Sequence, residues 1–357
     1  MYSMTIKIIT YTIILCALLS TGCIQKPEPD TLSLSTISVL NLLQEDPQFV
    51  MYINFKNMRR TEFWNKNISD SLLNAEKTFG SLLYTFKLAT GASISDGVDE
   101  LYYSNSWFGE NAIVMKGIMN QNLLNDFISR DTVFSVAKTS QGKTIYLKND
   151  NGLYFYFRDD NTICASNYLK QLDAMMNVTD TVKNGILLNQ KVYDAIEKIN
   201  YKQDIWMVST EKIFIKGIFR NFLESNAGIK MPENDSSEVT GESSANDSIS
   251  EKNLSNIENL YKNVESVSFS SKMTNELNLL IQCECVNSNS SKYLRSLLNG
   301  FLTVAKLSSS GKGRSNINSI LEKIKLNRFD NSVFVELNVD ESNLNELKKL
   351  NLINEPE

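Results

Sequence analysis

Strict alternation of apolar and polar residues predicts β-strands in both halves of the chain. The clearest case places Leu277, Leu279, Ile281, Cys283 and Cys285 on one side of a strand, with mostly polar residues on the other. Such a pattern is typical of an antiparallel strand with one buried face and one solvated face. Further strands are predicted at 49–55, 100–107, 112–119, 144–148, 153–157, 162–166, 205–209, 264–273, 326–329 and 333–339.

Helical spacing of apolar residues fills the segments between these strands. Leu72, Phe79, Leu83 and Phe86 predict an amphipathic helix of about five turns that ends near Gly91. A second helix carries an apolar face from Leu294 through Phe301 to Ala305. Other helices are predicted at 32–44, 121–130, 168–176, 189–199, 212–223, 317–324 and 343–350.

The order of these elements repeats. A hairpin followed by a helix occurs four times, and a strand followed by a helix opens each half. We therefore expect an α+β fold of antiparallel sheets covered by helices, with an internal duplication at 36–200 and 201–357. The pattern is similar to that of a scattered group of uncharacterised bacterial envelope proteins, a resemblance that implies no activity.

One segment of the second half breaks the pattern. Residues 225–255 are rich in Ser, Asn, Asp and Glu and contain few apolar side chains. A segment that buries so little apolar surface cannot offset the entropy of ordering. We expect a disordered acidic insert there.

The N-terminus has the composition of a secretory signal. Lys7 is the only charge before an apolar run at 8–19, and small residues follow up to Cys23. A charged start, a short apolar stretch and small residues before a cleavage site are typical of signal peptides.

Residues 19–23, Leu-Ser-Thr-Gly-Cys, resemble the lipobox of bacterial lipoprotein precursors, although Ser20 stands where a large apolar residue is usual. The resemblance implies that residues 1–22 are removed and that Cys23 carries diacylglycerol, with acyl chains such as palmitate. Residues 23–35, with Pro27 and Pro29, would then form an extended tether. Two alternatives stay open: an uncleaved membrane anchor, or an ordinary signal peptide with Cys23 as an incidental thiol.

Composition narrows the functional classes. The chain has 42% hydrophobic residues, as a globular protein does, and its net charge of −5 argues against a nucleic-acid surface. It contains no histidine, which excludes Ser-His-Asp triads, the His-Glu-x-x-His zinc motif and haem ligation by His. No cofactor is expected, and catalysis would have to use carboxylates, Lys or Tyr.

The mature chain would keep three cysteines besides Cys23, namely Cys164, Cys283 and Cys285, and buried positions explain them better than a disulfide or a zinc site. Cys283 and Cys285 lie on the same side of one strand, about 7 Å apart, at or beyond the limit for a disulfide. A bond from either to Cys164 remains open at this stage. A zinc site would need a fourth ligand that the sequence does not offer.

Two groups of charged residues invite functional hypotheses. Residues 311–315, Gly-Lys-Gly-Arg-Ser, could bind phosphate, although a flexible loop explains them better. Lys56, Arg59 and Arg60 could contact anionic lipid headgroups, although a solvated turn explains them better.

Adjacent acids and aromatics have simple structural explanations as well. Asp99 with Glu100 and Asp159 with Asp160 are carboxylate pairs, but a glycosidase usually draws its two carboxylates from different strands. Aromatic residues at 154–157 could line a ligand site, and burial on both sides of one strand explains them more simply.

Together these patterns favour a membrane-anchored envelope protein with a non-catalytic binding or scaffolding role. Its expected location is the cell envelope, facing away from the cytoplasm, and periplasmic if the cell has two membranes. Its expected partners are the membrane, through lipid on Cys23, and an unidentified envelope protein or lipophilic ligand. The alternatives are a carboxylate-based hydrolase, which requires converging charged groups in a cleft, and a carrier of a lipophilic ligand, which requires an apolar cavity.

Overall fold

The computed structural model describes residues 26–29, 31–78, 82–139, 142–149, 152–179, 182–199, 203–227, 260–309 and 315–349. The expected α+β class is confirmed, with one antiparallel sheet in place of several. The sheet has twelve strands in the order β11-β12-β10-β9-β8-β1-β2-β3-β7-β6-β5-β4. The strands are β1 (Phe49–Asn54), β2 (Val98–Asn105), β3 (Asn111–Gly117), β4 (Phe134–Lys138), β5 (Thr144–Lys148), β6 (Leu153–Asp159), β7 (Thr162–Ser166), β8 (Ile205–Ser209), β9 (Val264–Met273), β10 (Leu277–Cys285), β11 (Lys325–Phe329) and β12 (Ser332–Val339).

Helices lie along both faces of this sheet. Those of the first half are α1 (Leu34–Leu40), α2 (Phe55–Met58), α3 (Glu62–Asn67), α4 (Ser69–Lys77), α5 (Leu82–Thr90), α6 (Gln121–Arg130), α7 (Leu169–Asn177) and α8 (Gln190–Glu197), with a 3-10 turn at Gly185–Leu188. Those of the second half are α9 (Lys212–Ala227), α10 (Ser288–Ser309), α11 (Ser315–Lys323) and α12 (Glu341–Lys349). Within these described ranges, none of the helices combines the length and apolar character that crossing a membrane requires.

The two halves have the same strand connectivity. β1 and β8 are neighbours near the middle of the sheet, and each begins an equivalent run outward. On one side the order is β1-β2-β3-β7-β6, and on the other it is β8-β9-β10-β12-β11. The first half carries the additional hairpin β4–β5 at its outer edge. This correspondence agrees with the predicted repeat of elements, while duplication as its origin stays a prediction.

Several details differ from the sequence-based expectation. The long helix predicted across residues 72–90 is two helices, because Thr78 leaves the helical region with ψ 113° and ends α4. Strand β4 and the short helices α2 and α3 were not predicted. The helix predicted to end at Leu223 continues to Ala227, so the first three residues of the predicted acidic insert are helical. The remainder of that insert lies outside the described residues.

Two cores form on opposite sides of the first half. Face A of the sheet carries Tyr52, Tyr102 and Trp206 and packs against α1, α7 and α8. Face B carries residues such as Ile113 and Phe155 and packs against helices α2 to α6. A third core lies on face B of the second half, beneath α9 and α10.

Strand β10 departs from its predicted pattern. Gln282 and Glu284 were expected on a solvated side, but both are buried on face A, where Gln282 Nε2 donates to Glu284 Oε1 at 2.7 Å. By contrast Ile281, on the side predicted to be buried, keeps 40% of its surface exposed. The apolar side of this strand is therefore incompletely covered.

Candidate ligand cleft

An apolar cleft opens on face B of the second half, between the sheet and three helices. Strands β9 to β12 form its floor, and α9, α10 and α11 form its walls. Its volume is about 270 Å³, near the lower end of the roughly 300–1,000 Å³ typical of small-molecule sites. Every described lining residue is apolar or a cysteine: Ile218, Phe219, Val267, Ile281, Cys283, Leu298, Phe301, Leu302, Ala305, Leu321, Ile324, Leu326 and Val335.

The floor of this cleft follows from strand register. Ile281 pairs with Val335 on one side and with Phe269 on the other, so it sits inside the sheet rather than at an edge. A residue so placed is normally covered by a helix layer. The 40% exposure of Ile281 shows that the helices leave a gap above it.

The walls are anchored at one end and open further along. α9 is held by Ile215, which is fully buried, and by Phe214, whose ring lies 5.4 Å from that of Phe49. α10 is held by Leu294, also fully buried. Beyond these anchors, apolar residues such as Ile218 and Leu307 stay exposed. The helices thus carry more apolar surface than the core uses.

Cys283 contributes a neutral wall to the cleft rather than a nucleophile. Burial, with smaller contributions from Cys285 and Glu284, raises the pKa of its thiol from 9.0 to about 12. The thiolate is the reactive form of cysteine. The side chain therefore behaves as a small apolar group near neutral pH.

The prediction of buried, unbonded thiols is confirmed for all three described cysteines. Cys164, Cys283 and Cys285 are free and buried. Cys164 belongs to the core on face A, whereas the other two belong to the core on face B. The sheet separates them, so the disulfide to Cys164 that the sequence left open does not form.

A second, polar pocket of about 330 Å³ lies on face A at the opposite end of β1 from Phe49. Glu100 is its central charge: Tyr52 donates to Glu100 Oε1 at 3.2 Å, and Lys116 Nζ lies 3.7 Å from Oε2. Burial and the neighbouring Glu100 carboxylate raise the pKa of Tyr52 well above its usual range. The tyrosine therefore stays protonated and serves as a donor.

The predicted carboxylate pair at this position does not converge. Asp99 accepts from Arg59 Nη2 at 2.9 Å and lies 3.1 Å from Lys56 Nζ. Glu100 lies on face A with Tyr52 and Lys116, whereas the partners of Asp99 come from α2 and the residue after it, on face B. The two carboxylates therefore have separate partners and do not face a common space, as a two-carboxylate hydrolase would require.

The other candidates predicted from sequence have structural roles where they are described. Arg59 also donates to the carbonyl oxygens of Ile94 and Val98, and thus ties α2 to the loop before β2. Asp159 Oδ1 accepts from the backbone N–H of Asn161 at 2.9 Å, as a turn residue does. Phe155 and Tyr156 are buried in the cores of opposite faces. Cys23 and residues 311–314 lie outside the described residues.

The cleft was not located from the sequence, although one feature pointed to it. The segment at 212–223 has apolar residues around most of its circumference, more than one buried stripe requires. A helix of that kind has a second apolar surface to cover. The register of β8 to β12 decides which strands lie beneath this helix. Sequence patterns do not specify that register.

No protein-family model matches the sequence, and no curated protein matches it. Among solved structures, three crystal forms of TP0453 share 9–11% identity with the chain. They cover 86–87% of this chain and 95–96% of TP0453, with TM-scores of 0.44–0.46. At these values the likeness says nothing about function.

Proposed function

We propose that this protein is a lipid-anchored lipoprotein of the cell envelope that binds a lipophilic ligand without catalysing a reaction. The apolar cleft above Ile281 carries the proposal, because no described residue that lines it has a charged side chain. Such a surface favours hydrocarbon over polar groups. The sequence favoured a binding or scaffolding role and offered a carrier of a lipophilic ligand as an alternative. The proposal takes the binding role and assigns it that ligand.

The N-terminal sequence supports the location. Cleavage after residue 22 and lipid on Cys23 would hold the protein on a membrane, facing away from the cytoplasm. Each buried methylene of the anchor contributes about 0.8 kcal/mol, and two or more chains hold firmly. A membrane is also a source of lipophilic ligands, so the anchor and the cleft serve one activity.

The size of the cleft sets the size of the ligand. A cleft of about 270 Å³ is too small for a whole lipid with several chains. A single acyl chain segment fits this volume. Affinity for saturated fatty acids should rise about fourfold per added methylene and level off once further methylenes extend beyond the cleft.

The binding test uses the mature chain with Cys23→Ser, which removes the anchor but keeps the cleft. Fluorescence of cis-parinaric acid is titrated with wild-type side chains, with Ala305→Trp and with Val304→Trp. Ala305 lines the cleft, whereas Val304 is exposed on the same helix and does not. We expect Ala305→Trp to abolish saturable binding and Val304→Trp to leave it unchanged. Equal binding by all three proteins would refute the assignment to the cleft.

The anchor is tested separately in the host cell by incorporation of a labelled fatty acid. Label should appear in the wild-type protein and be lost in Cys23→Ala. Release of the native protein from membranes by high salt would count against a covalent lipid, because salt weakens ionic attachment and leaves hydrophobic anchoring intact.

A further inference from the structure

Two aromatic residues project from the turn between β2 and β3. Phe108 is 90% exposed and Trp107 is 45% exposed, although both are large and apolar in character. Ile213, at the start of α9, follows the neighbouring end of β8 and is also exposed. Trp107 Nε1 donates to Glu211 Oε2 at 3.4 Å, which links the turn to the segment before α9. We name Trp107, Phe108 and Ile213 the apolar tip.

The apolar tip lies at the same edge of the sheet as the start of the described chain. The strand register places two residue pairs at this same end of the strands: Asn105 with Phe49, and Glu284 with Ser332. Lys26 Nζ donates to Ser332 Oγ at 3.2 Å and so lies at this edge too. Cys23 is only three positions before Lys26. Three residues span at most about 11 Å, so a lipid on Cys23 would be attached within that distance of Lys26. The β2–β3 turn lies at the same end of the strands, five strand positions from β12, or about 24 Å.

We propose that the apolar tip inserts into the bilayer that holds the lipid of Cys23, so that the protein contacts the membrane at two points. This inference rests on the lipidation proposed above. Trp is enriched at membrane interfaces because its ring is apolar and its N–H can be hydrated. Phe108 adds apolar area to the turn. Its side chain has no polar group that would lose hydration in the bilayer.

Two contacts would also give the protein a defined orientation. A single attachment, through the lipid of Cys23, would leave the sheet free to tilt above the membrane. The tip holds the strand ends next to the β2–β3 turn against the membrane. The opposite strand ends, with the polar pocket, then face away from it. The tip adds its own buried apolar area to the affinity that the lipid chains supply.

Tryptophan fluorescence tests the proposal without an added label. The chain has three tryptophans, and Trp64 and Trp206 are buried. The lipidated protein is reconstituted into phosphatidylcholine and phosphatidylglycerol vesicles with or without brominated acyl chains, which quench tryptophan on contact. We expect the emission of Trp107 to shift to shorter wavelength on reconstitution and to be lost in brominated vesicles.

Matched variants assign the quenching. Trp107→Phe keeps an aromatic tip but removes the reporter, so quenching should disappear. Phe108→Ser should weaken the quenching of Trp107. Residual quenching in Trp107→Phe, or unquenched emission from wild-type protein that still floats with the vesicles, would overturn the two-point contact. Failure to float would instead overturn the lipid anchor, and the tip proposal with it.

Discussion

Cys164, Cys283 and Cys285 illustrate how burial controls chemistry at the scale of single residues. Burial raises the thiol pKa to about 11 for Cys164 and to about 12 for the other two. In residues 23–357 with Cys23→Ser, which lack Cys16, Ellman's reagent at neutral pH should therefore react slowly with the native chain and rapidly with three thiols in denaturant. Rapid reaction in the native state would place a thiol at the surface.

The same shift predicts how stability depends on pH. The pKa of the Cys283 thiol rises from 9.0 in an ordinary setting to about 12 in the folded protein, so the unfolded chain loses its proton first. The stabilisation is complete below pH 9 and is lost as pH rises towards 12. Melting temperature should fall between about pH 8 and about pH 11, and less steeply in Cys283→Ala. Equal slopes for the two proteins would contradict the shift.

Asp204 connects three strands and is fully buried. Its Oδ2 accepts from the Met273 N–H at 2.7 Å, and its Oδ1 lies 3.2 Å from Lys272 Nζ. Its backbone carbonyl accepts from the Asn54 N–H. Asp204→Ala should lower the free energy of unfolding by about 2–3 kcal/mol, because a buried N–H loses its acceptor.

Urea denaturation measures this change, with Asp204→Asn as the control. Asparagine keeps an oxygen acceptor for Met273 and should lose less stability than alanine. Alanine and asparagine variants of equal stability would show that the hydrogen bond to Met273 contributes little.

At the scale of elements, the segment after α9 tests how much of the chain the fold requires. Residues 228–255 contain few apolar side chains. Deleting them should change the melting temperature by less than about 2 °C, since little burial is lost. Differential scanning calorimetry of the deleted and intact chains provides the measurement. A decrease of several times that size would show that the segment packs against the core.

Predictability from the sequence varied with how each element is buried. Strands β5, β7 and β8 have the bounds that their patterns predict, because each contains a short apolar run with polar residues beside it. β4 was missed because it is an edge strand whose residues after Phe134 are all exposed, so no burial pattern marks it. The end of the predicted helix at Gly91 is confirmed: this residue has φ +72° and donates to Lys87.

The cleft lies beyond such patterns because it depends on elements distant in sequence. Ile281 has the spacing of a buried strand residue, and Leu298 and Ala305 have the spacing of a helix face. Each pattern was correctly assigned to its element. The space between them depends on how closely α9 and α10 approach the sheet, which periodicity within one element does not encode.

At the scale of the whole molecule, the two halves share a core. β1 and β8 are hydrogen-bonded over four residue pairs. Trp206 from the second half stacks on Tyr52 from the first, with ring centroids 5.5 Å apart. The two predicted halves therefore contribute their strands to one continuous sheet.

Residues 36–200 expressed alone should consequently fail to fold cooperatively. The fragment loses Trp206 and Val208 from its core and exposes the edge of β1, and an exposed edge favours aggregation. The mature chain should show one thermal transition by circular dichroism. A sharp transition in the fragment, with the native content of strand, would show instead that the halves are independent domains.

The central claim is that a lipophilic molecule occupies the cleft on face B, and organic extraction of the purified protein tests it most directly. The Cys23→Ser chain, which carries no covalent lipid, is purified without detergent, extracted and analysed by mass spectrometry beside its Ala305→Trp and Val304→Trp variants. The account predicts a lipophilic ligand in the Cys23→Ser and Val304→Trp proteins and its loss from Ala305→Trp. Equal amounts in all three proteins, or none in any after incubation with membrane lipids, would contradict it.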